Sequence, residues 1–456
     1  MKRIMKTKIL SAVVFISLIF YTSCNWIDSG LNVDPTAPLD ASLNVILPTV
    51  QAGMAYSIGG DINRFSSLLT QHVEGIDRQH LGLYQYNFKE DDLDNCWTSM
   101  YTGPMEDLYI IIGKAKANGS PHYQGIAEVL MAVSLDAWTD ILGDIPYSEC
   151  FQGAKKLKPK YDSQQSIYNS MLTLLDSALV HLAAANSNFK PGADDFIYGG
   201  NIGLWIKAAK VLKARLYIHL KDYTNALASL NGGFASHTED LQFTFGTKET
   251  EANPWYQFIT QRGDIRIGPK LVELMNDLTD PRRPAYMLPG DTLGNYIGGV
   301  SELGPMYTQA NSPVPFVTYM EAKFIEAECL LNTDKTKAYQ AYLEGIAASC
   351  RKAGVADAEI VAFLASPKVN VGENNFTLQN IIEQKYIALF TMAETWVDWR
   401  RTNFPALTPV TGTSVPRRYF YPQSERLYNF EELQKADGYS NSPQFIYSKM
   451  WLDRQW

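Results

Sequence analysis

Two stretches of this sequence set arginine beside tyrosine or tryptophan in what reads as loop. The first runs from Arg64 to Tyr86 and holds Arg78, His80 and Tyr84. The second places Trp255 and Tyr256 ahead of Arg262, Asp264 and Arg266, with Tyr296 and Tyr307 further on. Such mixtures suit sugar recognition, because the apolar C–H face of a sugar ring stacks on an aromatic plane while its hydroxyls need polar partners. Arg64, Arg78, Tyr84, Trp255, Tyr256, Arg262, Tyr296 and Tyr307 are therefore the candidate ligand-binding residues. For any single aromatic among them, core packing is the commoner role.

Other chemistries lack their residues. There is no Gly-x-Ser-x-Gly elbow, no His-Glu-x-x-His, no Walker loop and no Gly-x-Gly-x-x-Gly opening a helix. The six histidines are scattered, and the nearest pair, His72 and His80, would sit roughly 12 Å apart along a helix. Glu321, Glu326 and Glu328 lie on one predicted helix without a histidine, so a solvated face paired with neighbouring cations is expected. Arg400-Arg401 and Arg417-Arg418 are expected to cap helices or pair with carboxylates such as Asp398. No catalytic residue, metal ligand or cofactor is expected.

These side chains need a scaffold, and its periodicity is helical. Ile126, Leu130, Val133, Ala137 and Ile141 recur at steps of three and four within 124–142, as do Trp205, Ala208, Leu212, Leu216 and Leu220 within 203–220. Val317, Met320, Phe324, Ala327 and Leu331 repeat the pattern within 316–331, and further runs occupy about 97–117, 164–186, 336–353 and 376–393. Trp97, Trp138, Trp205 and Trp396 fall on these stripes and read as core. Helices of this length arriving in pairs suggest helix-turn-helix repeats of tetratricopeptide type, although the residue signature of that repeat is largely absent. A scaffold of about 90–230 and 316–400 is interrupted by 231–315, which holds ten Gly and eight Pro, and is followed by an irregular 400–456. Long ordered loops on a rigid support are where binding surfaces usually sit.

The N-terminus addresses location. Lys2, Arg3, Lys6 and Lys8 precede an apolar run, Ile9 to Phe20, of roughly 18 Å as a helix, too short for a bilayer core of about 30 Å. Residues 1–23 thus read as a signal peptide, and Tyr21-Thr22-Ser23-Cys24 resembles a lipobox with Cys24 as the lipidated residue. Residues 24–40, with Asn32-Val33-Asp34-Pro35-Thr36-Ala37-Pro38, read as a proline-stiffened tether to a domain over 41–456. Without the signal segment, 36 basic residues face 48 acidic ones, a balance of −12 that argues against nucleic acid and anionic lipid as partners. Cys96, Cys150, Cys329 and Cys350 fit no zinc spacing and are expected as buried free thiols rather than disulfides.

Several motifs together resemble one family. They are Asn32-Val33-Asp34-Pro35, Trp138-Thr139-Asp140-Ile141-Leu142-Gly143-Asp144-Ile145-Pro146-Tyr147, Asn253-Pro254-Trp255, and Thr318 through Glu328. Trp396-Val397-Asp398-Trp399-Arg400-Arg401-Thr402 and Pro416-Arg417-Arg418-Tyr419-Phe420-Tyr421-Pro422 complete the set, in family order over nearly the whole chain. The sequence resembles the SusD/RagB nutrient-binding lipoproteins, in particular their SusD-like branch. The resemblance implies a mainly α fold, with tetratricopeptide-type helix pairs forming a right-handed scaffold that carries a loop-rich ligand-binding region. It also implies a lipid-anchored outer-membrane protein, not an enzyme, that captures an oligosaccharide or peptide and serves a TonB-dependent transporter barrel of SusC type. Asp28 is the only acid directly after Cys24, which leaves a periplasm-facing helical scaffold open as an alternative; a surface glycan hydrolase is the third reading.

Overall fold

Three- and four-residue apolar spacing produces helices, and the computed structural model describes them over residues 41–456. The signal segment, Cys24 and the tether lie outside the described residues. The first helix, α1 (Leu43–Ser57), buries Leu43, Ile46, Leu47, Val50 and Met54 along one face. A π-helical turn follows, Ile58–Ile62, in which Gly60 leaves helical geometry with ψ −112°. Then come α2 (Asn63–Leu69), α3 (Arg78–Tyr84), α4 (Asp94–Met100), α5 (Glu106–Asn118), α6 (Pro121–Leu142), α7 (Gln164–Leu182), α8 (Ile202–His219) and α9 (Tyr223–Ser229). After the loop-rich region, which contains α10 (Pro254–Gln261), follow α11 (Tyr319–Leu330), α12 (Lys335–Lys352), α13 (Leu378–Ala388) and α14 (Glu394–Thr402).

Local chemistry starts these helices where the chain needs them. Ser163, Asn201, Asp222, Thr318 and Asp334 each accept a backbone N–H in the first turn of the following helix, worth about 1 kcal/mol apiece. Pro121 opens α6 at a position whose N–H would have no helical partner. Gly143 ends that helix at φ 92°, and Arg418 donates to the buried Leu142 carbonyl, which the helix leaves without an internal partner. Consecutive helices pack on one another from α5 through α9, and α11 packs on α12. Close approach demands small residues: a Cβ on Gly125 of α6 would lie 2.6 Å from Leu182 Cγ on α7. Trp97, Trp138, Trp205 and Trp396 are buried core residues, and all four described cysteines are free buried thiols.

Among the described residues, six short strands tie the loops down. They are β1 (Val73–Gly75), β2 (Ile145–Pro146), β3 (Tyr161–Asp162), β4 (Leu241–Thr244), β5 (Ile265–Ile267) and β6 (Pro313–Val317). Each pairs once and antiparallel: β1 with β5, β2 with β3, and β4 with β6. The stretch from Arg64 to Tyr86, expected as loop, is mostly α2, β1 and α3. Its apolar face is discontinuous (Phe65, Leu68 and Leu69, then Leu83), so no window shows a full helical period. The C-terminal segment wraps the end of α6, where the Tyr421 hydroxyl donates to Asp144 O at 2.9 Å and the Tyr419 amide to Ile141 O at 3.0 Å. No helix among the described residues is long and apolar enough to cross a membrane.

Charge, not only apolar surface, joins the helices. Arg215 on α8 donates to both carboxylate oxygens of Glu321 on α11 at 2.5 and 2.6 Å, to Asp136 on α6 at 3.2 Å, and to Phe316 O at 2.7 Å. Lys385 on α13 lies 3.1 Å from Glu394 and 2.7 Å from Asp398, both on α14. Arg401 bridges Asp398 and Glu328 at 2.7 and 2.5 Å. The expected solvated face of α11 is therefore corrected: Glu321 and Glu328 are buried in this network, and only Glu326 pairs at the surface, with Lys323. Burial opposes ionisation of Glu394, yet His219, Lys385 and Arg215 together hold its carboxyl well below the usual range.

Removing one member of such a network strands its partners in low dielectric. Arg215→Ala should lower unfolding stability by about 3–5 kcal/mol in chemical denaturation, and a change below about 1 kcal/mol would refute the assignment. A second expectation concerns acid. Burial drives the His72 imidazole down to about 3, against the pull of its 2.9 Å contact with Tyr386 O. A base depressed on folding contributes stability above its unfolded value, near 6.5, that is lost as pH falls toward 3. His72→Gln keeps an N–H donor without titrating, so its stability should fall less steeply than that of the wild type between pH 6.5 and 4. Equal slopes would exclude His72 as the cause.

Candidate ligand-binding site

The helical and loop-rich regions meet along α1, and a large concavity opens there. Its volume is about 760 Å³. One wall is the C-terminal half of α1, with Gly53, Tyr56 and Ser57; the facing wall is Phe243 to Gly246 at the end of β4, with Thr250, Glu251 and Gln257 beyond. A second recess of about 200 Å³ adjoins it and shares Tyr56, Ser57 and Ser99. Asp61, Arg64, Asn95, Cys96 and Pro254 complete that recess.

Specific contacts hold these side chains in place. Tyr56 lies on the α1 face opposite the buried stripe, 51% exposed, and its hydroxyl donates to Gln257 Oε1 at 3.2 Å. Phe196, 57% exposed, reaches the trough because its amide donates to Gln51 Oε1 on α1 at 2.8 Å. The next residue back, Asp195, is buried and accepts from Gln51 at 2.8 Å and from the Trp205 indole at 2.7 Å, so α1, α8 and this loop are locked together. On the far side, Asn253 caps α10 through the Trp255 amide at 2.7 Å and donates to Ser312 O at 2.9 Å. The Asn253-Pro254-Trp255 motif thus anchors the loop wall.

The recess is charged but internally compensated. Arg64 pairs with Asp61 three residues earlier, its guanidinium lies 4.7 Å from the centre of the Phe258 ring, and its Nε is a buried donor without a protein partner. The π-helical turn between Ser57 and Asn63 brings Gly60, Asp61 and Arg64 to one wall; such insertions frequently re-aim side chains at functional sites. Exposed aromatic planes, two amides, hydroxyls and one guanidinium therefore converge on one groove.

Of the residues singled out from sequence, Arg64 lines this site. Tyr84, Trp255 and Tyr307 are buried, and Tyr307 packs edge-on to Tyr286 and Phe390 at 5.5 and 4.7 Å. Arg78 is 54% exposed and serves as the partner of fully buried Asp264, while also donating to the Arg262 carbonyl at 2.7 Å. Arg262 is exposed; Tyr256 is half-buried on α10; Tyr296 is half-buried beneath Arg283, whose guanidinium lies 5.3 Å from the ring centre. None of these seven lines either recess. His80 is enclosed between Phe258 and Phe65, and burial with Arg64 nearby pushes its imidazole down to about 4. The residues that sequence reasoning missed are Tyr56, Asn95, Phe196 and Gln257. None of the four carried a signal in the sequence, since the α1 face that holds Tyr56 is lined mainly by Val45, Pro48, Ala52 and Gly53.

One buried cluster has ligand-like geometry: oxygens of Asp136 and Asp140 and a nitrogen of His219 lie within 4.8 Å of one another. Hydrogen bonding argues against His219 as a ligand there. The Tyr168 hydroxyl gives its one proton to Asp140 at 2.6 Å, so its 3.0 Å contact with His219 Nδ1 requires that nitrogen to donate. Nε2 donates to Glu394 at 3.1 Å, leaving a doubly protonated imidazolium. Glu394, Asp140 and Asp136 raise the His219 value against the opposing effect of burial.

Comparison with known proteins places this geometry. A crystal structure of a SusD/RagB family protein from Bacteroides thetaiotaomicron superposes with a TM-score of 0.74 at 24% identity, covering 91% of this chain and 99% of that one. A chitin-binding protein superposes with a TM-score of 0.75 at 24% identity over 90% of this chain and 100% of its own. A SusD homologue from Bacteroides fragilis gives 0.74 at 21% identity, covering 89% and 99%. No curated protein matches the sequence. The SusD-like family profile, described as starch-binding and associating with the outer membrane, matches residues 35–422. With a profile match over most of its length and the same mainly helical fold, this chain belongs to the SusD-like family.

Proposed function

We propose that this protein is a lipid-anchored binding protein of the outer membrane that captures an oligosaccharide in the trough along α1 and delivers it to a TonB-dependent transporter. The observation that carries this reading is the pairing of two exposed aromatic planes, Tyr56 and Phe196, with Gln257, Asn95 and the Arg64 guanidinium around one open groove. Sugar rings would stack on the aromatics while their hydroxyls pair with the amides. Glycan recognition by the family and by the structurally similar chitin-binding protein supports that ligand class. Cys24 would supply the anchor, and acyl chains contribute about 0.8 kcal/mol per buried methylene. Binding rather than turnover is the activity we assign.

Two measurements bear on this. Calorimetric titration against starch- and chitin-derived oligosaccharides should find a binder, and Tyr56→Ala and Phe196→Ala should each weaken it roughly five- to tenfold, for stacking worth about 1 kcal/mol. Unchanged affinity in both variants would remove the groove from consideration. Delivery is tested separately, by purifying the lipidated protein from native outer membranes in mild detergent. Near-equal recovery of a TonB-dependent barrel supports the transport role, whereas recovery alone or with periplasmic proteins only points to a scaffold.

A further inference from the structure

Behind the ligand site, on the opposite side of the π-helical turn, lies a small, partly enclosed cavity of about 50 Å³. Ile58, Ile62 and Asn63 form its wall toward the turn, and Asp136, Asp140, Arg215 and Glu394 supply its polar lining. The same turn presents Ser57, Gly60, Asp61 and Arg64 to the outer recess. One short irregular segment therefore separates a charged inner cavity from the proposed binding groove.

The inner side is short of positive charge. Asp136, Asp140, Glu321 and Glu394 face Arg215 and the His219 imidazolium, with Lys385 divided between Glu394 and Asp398. Arg400 reaches only the Asp140 carbonyl and directs its own charge to Asp453. Asp136 Oδ1 is buried and has no hydrogen-bond partner, although the residue is only 5% exposed. An orphan carboxylate oxygen beside an excess of acids is costly unless a proton or water completes it. A metal ion is disfavoured, because Arg215 lies 3.2 Å from Asp136 and both His219 nitrogens donate elsewhere.

We propose that Asp136 and Asp140, one helical turn apart on α6, share a single proton in the folded protein, and that its release draws water into the cavity, loosens the π-helical turn and reshapes the ligand recess on the turn's outer face. The final link rests on the binding role assigned above; the proton and the turn do not. Every charged neighbour of the pair is accounted for: Tyr168 from α7, Arg215 and His219 from α8, Glu321 from α11, Glu394 and Arg400 from α14, and Lys385 from α13 through Glu394. Burial, reinforced by Asp136, pushes the Asp140 carboxyl up to about 7 against His219, Arg400 and the Tyr168 hydrogen bond. An acid raised on folding binds its proton more tightly in the native state, so its stabilising effect is present at low pH and lost as pH rises through about 7.

The test needs no ligand, so its failure is distinct from failure of the binding role. Amide hydrogen exchange of residues 56–64 is compared between wild type and Asp140→Asn, which fixes the neutral form and still accepts from Tyr168. At pH 8 the wild type should exchange several-fold faster than the variant, and at pH 5.5 the two should coincide. Equal exchange at pH 8 overturns the proposal. Should Asp140→Asn fail to fold, Asp136→Asn is the second variant, and denaturation of the wild type is an independent measurement of the same proton. Its unfolding equilibrium constant, taken as a ratio to that of whichever variant folds so that the histidine protons cancel, should rise about threefold per pH unit near pH 7, for half a proton released; parallel profiles between pH 6.5 and 8 overturn the proposal.

Discussion

The architecture depends on keeping several charges out of water without leaving any of them alone. Six helices, α6, α7, α8, α11, α13 and α14, contribute to one buried network in which Arg215, Lys385 and Arg401 each bridge at least two carboxylates. Taking two charges from water into a protein interior costs several kcal/mol per ion, and mutual attraction offsets that only with good geometry and full hydrogen bonding. Bidentate contacts from Arg215 and Arg401 meet the requirement because a guanidinium fork matches a carboxylate. Apolar stripes would tolerate a helix sliding by a fraction of a turn; these pairs would not. They fix the mutual register of helices far apart in sequence, and with it the platform on which α1 and the loop-rich region rest.

That platform positions the groove at a seam. Asp195 joins α1 to α8 through Gln51 and Trp205, while β4 reaches β6 just before α11 begins. Each wall of the trough is thereby fastened to a different part of the helical scaffold. The loop-rich region is accordingly an ordered wall with short helices and strands of its own, held by main-chain pairing and by the Asn253 cap.

Helices were legible in the sequence because burial imposes a period, and the tryptophans on those stripes proved to be core. The motifs of the family resemblance served structure: Gly143 ends α6, Asn253 caps α10, and Arg401 and Arg418 saturate buried acceptors. Glu321 was misread for a physical reason, since a buried, paired glutamate and a solvated one look alike in sequence. The difference lies in Arg215, 106 positions away. The groove was harder still. Tyr56, Phe196 and Gln257 come from three separate segments, and only tertiary packing brings them together. The aromatic-and-arginine clusters that stand out in the sequence are largely claimed by packing, as in Tyr307 against Phe390, or by internal pairing, as in Arg78 with Asp264.

The wrapping C-terminal segment bears on the order in which the molecule can be completed. Asp453 receives both Arg400 and Arg417, and Trp456 stacks against Lys221 and Arg401 while its indole donates to the His219 carbonyl. The ion that balances α14 therefore comes from Asp453, 53 positions beyond Arg400 in sequence. Until that segment docks, the arginine is a charge without its partner in a desolvating core. Docking of the wrapping segment and closure of the core around α14 are thus one event rather than two.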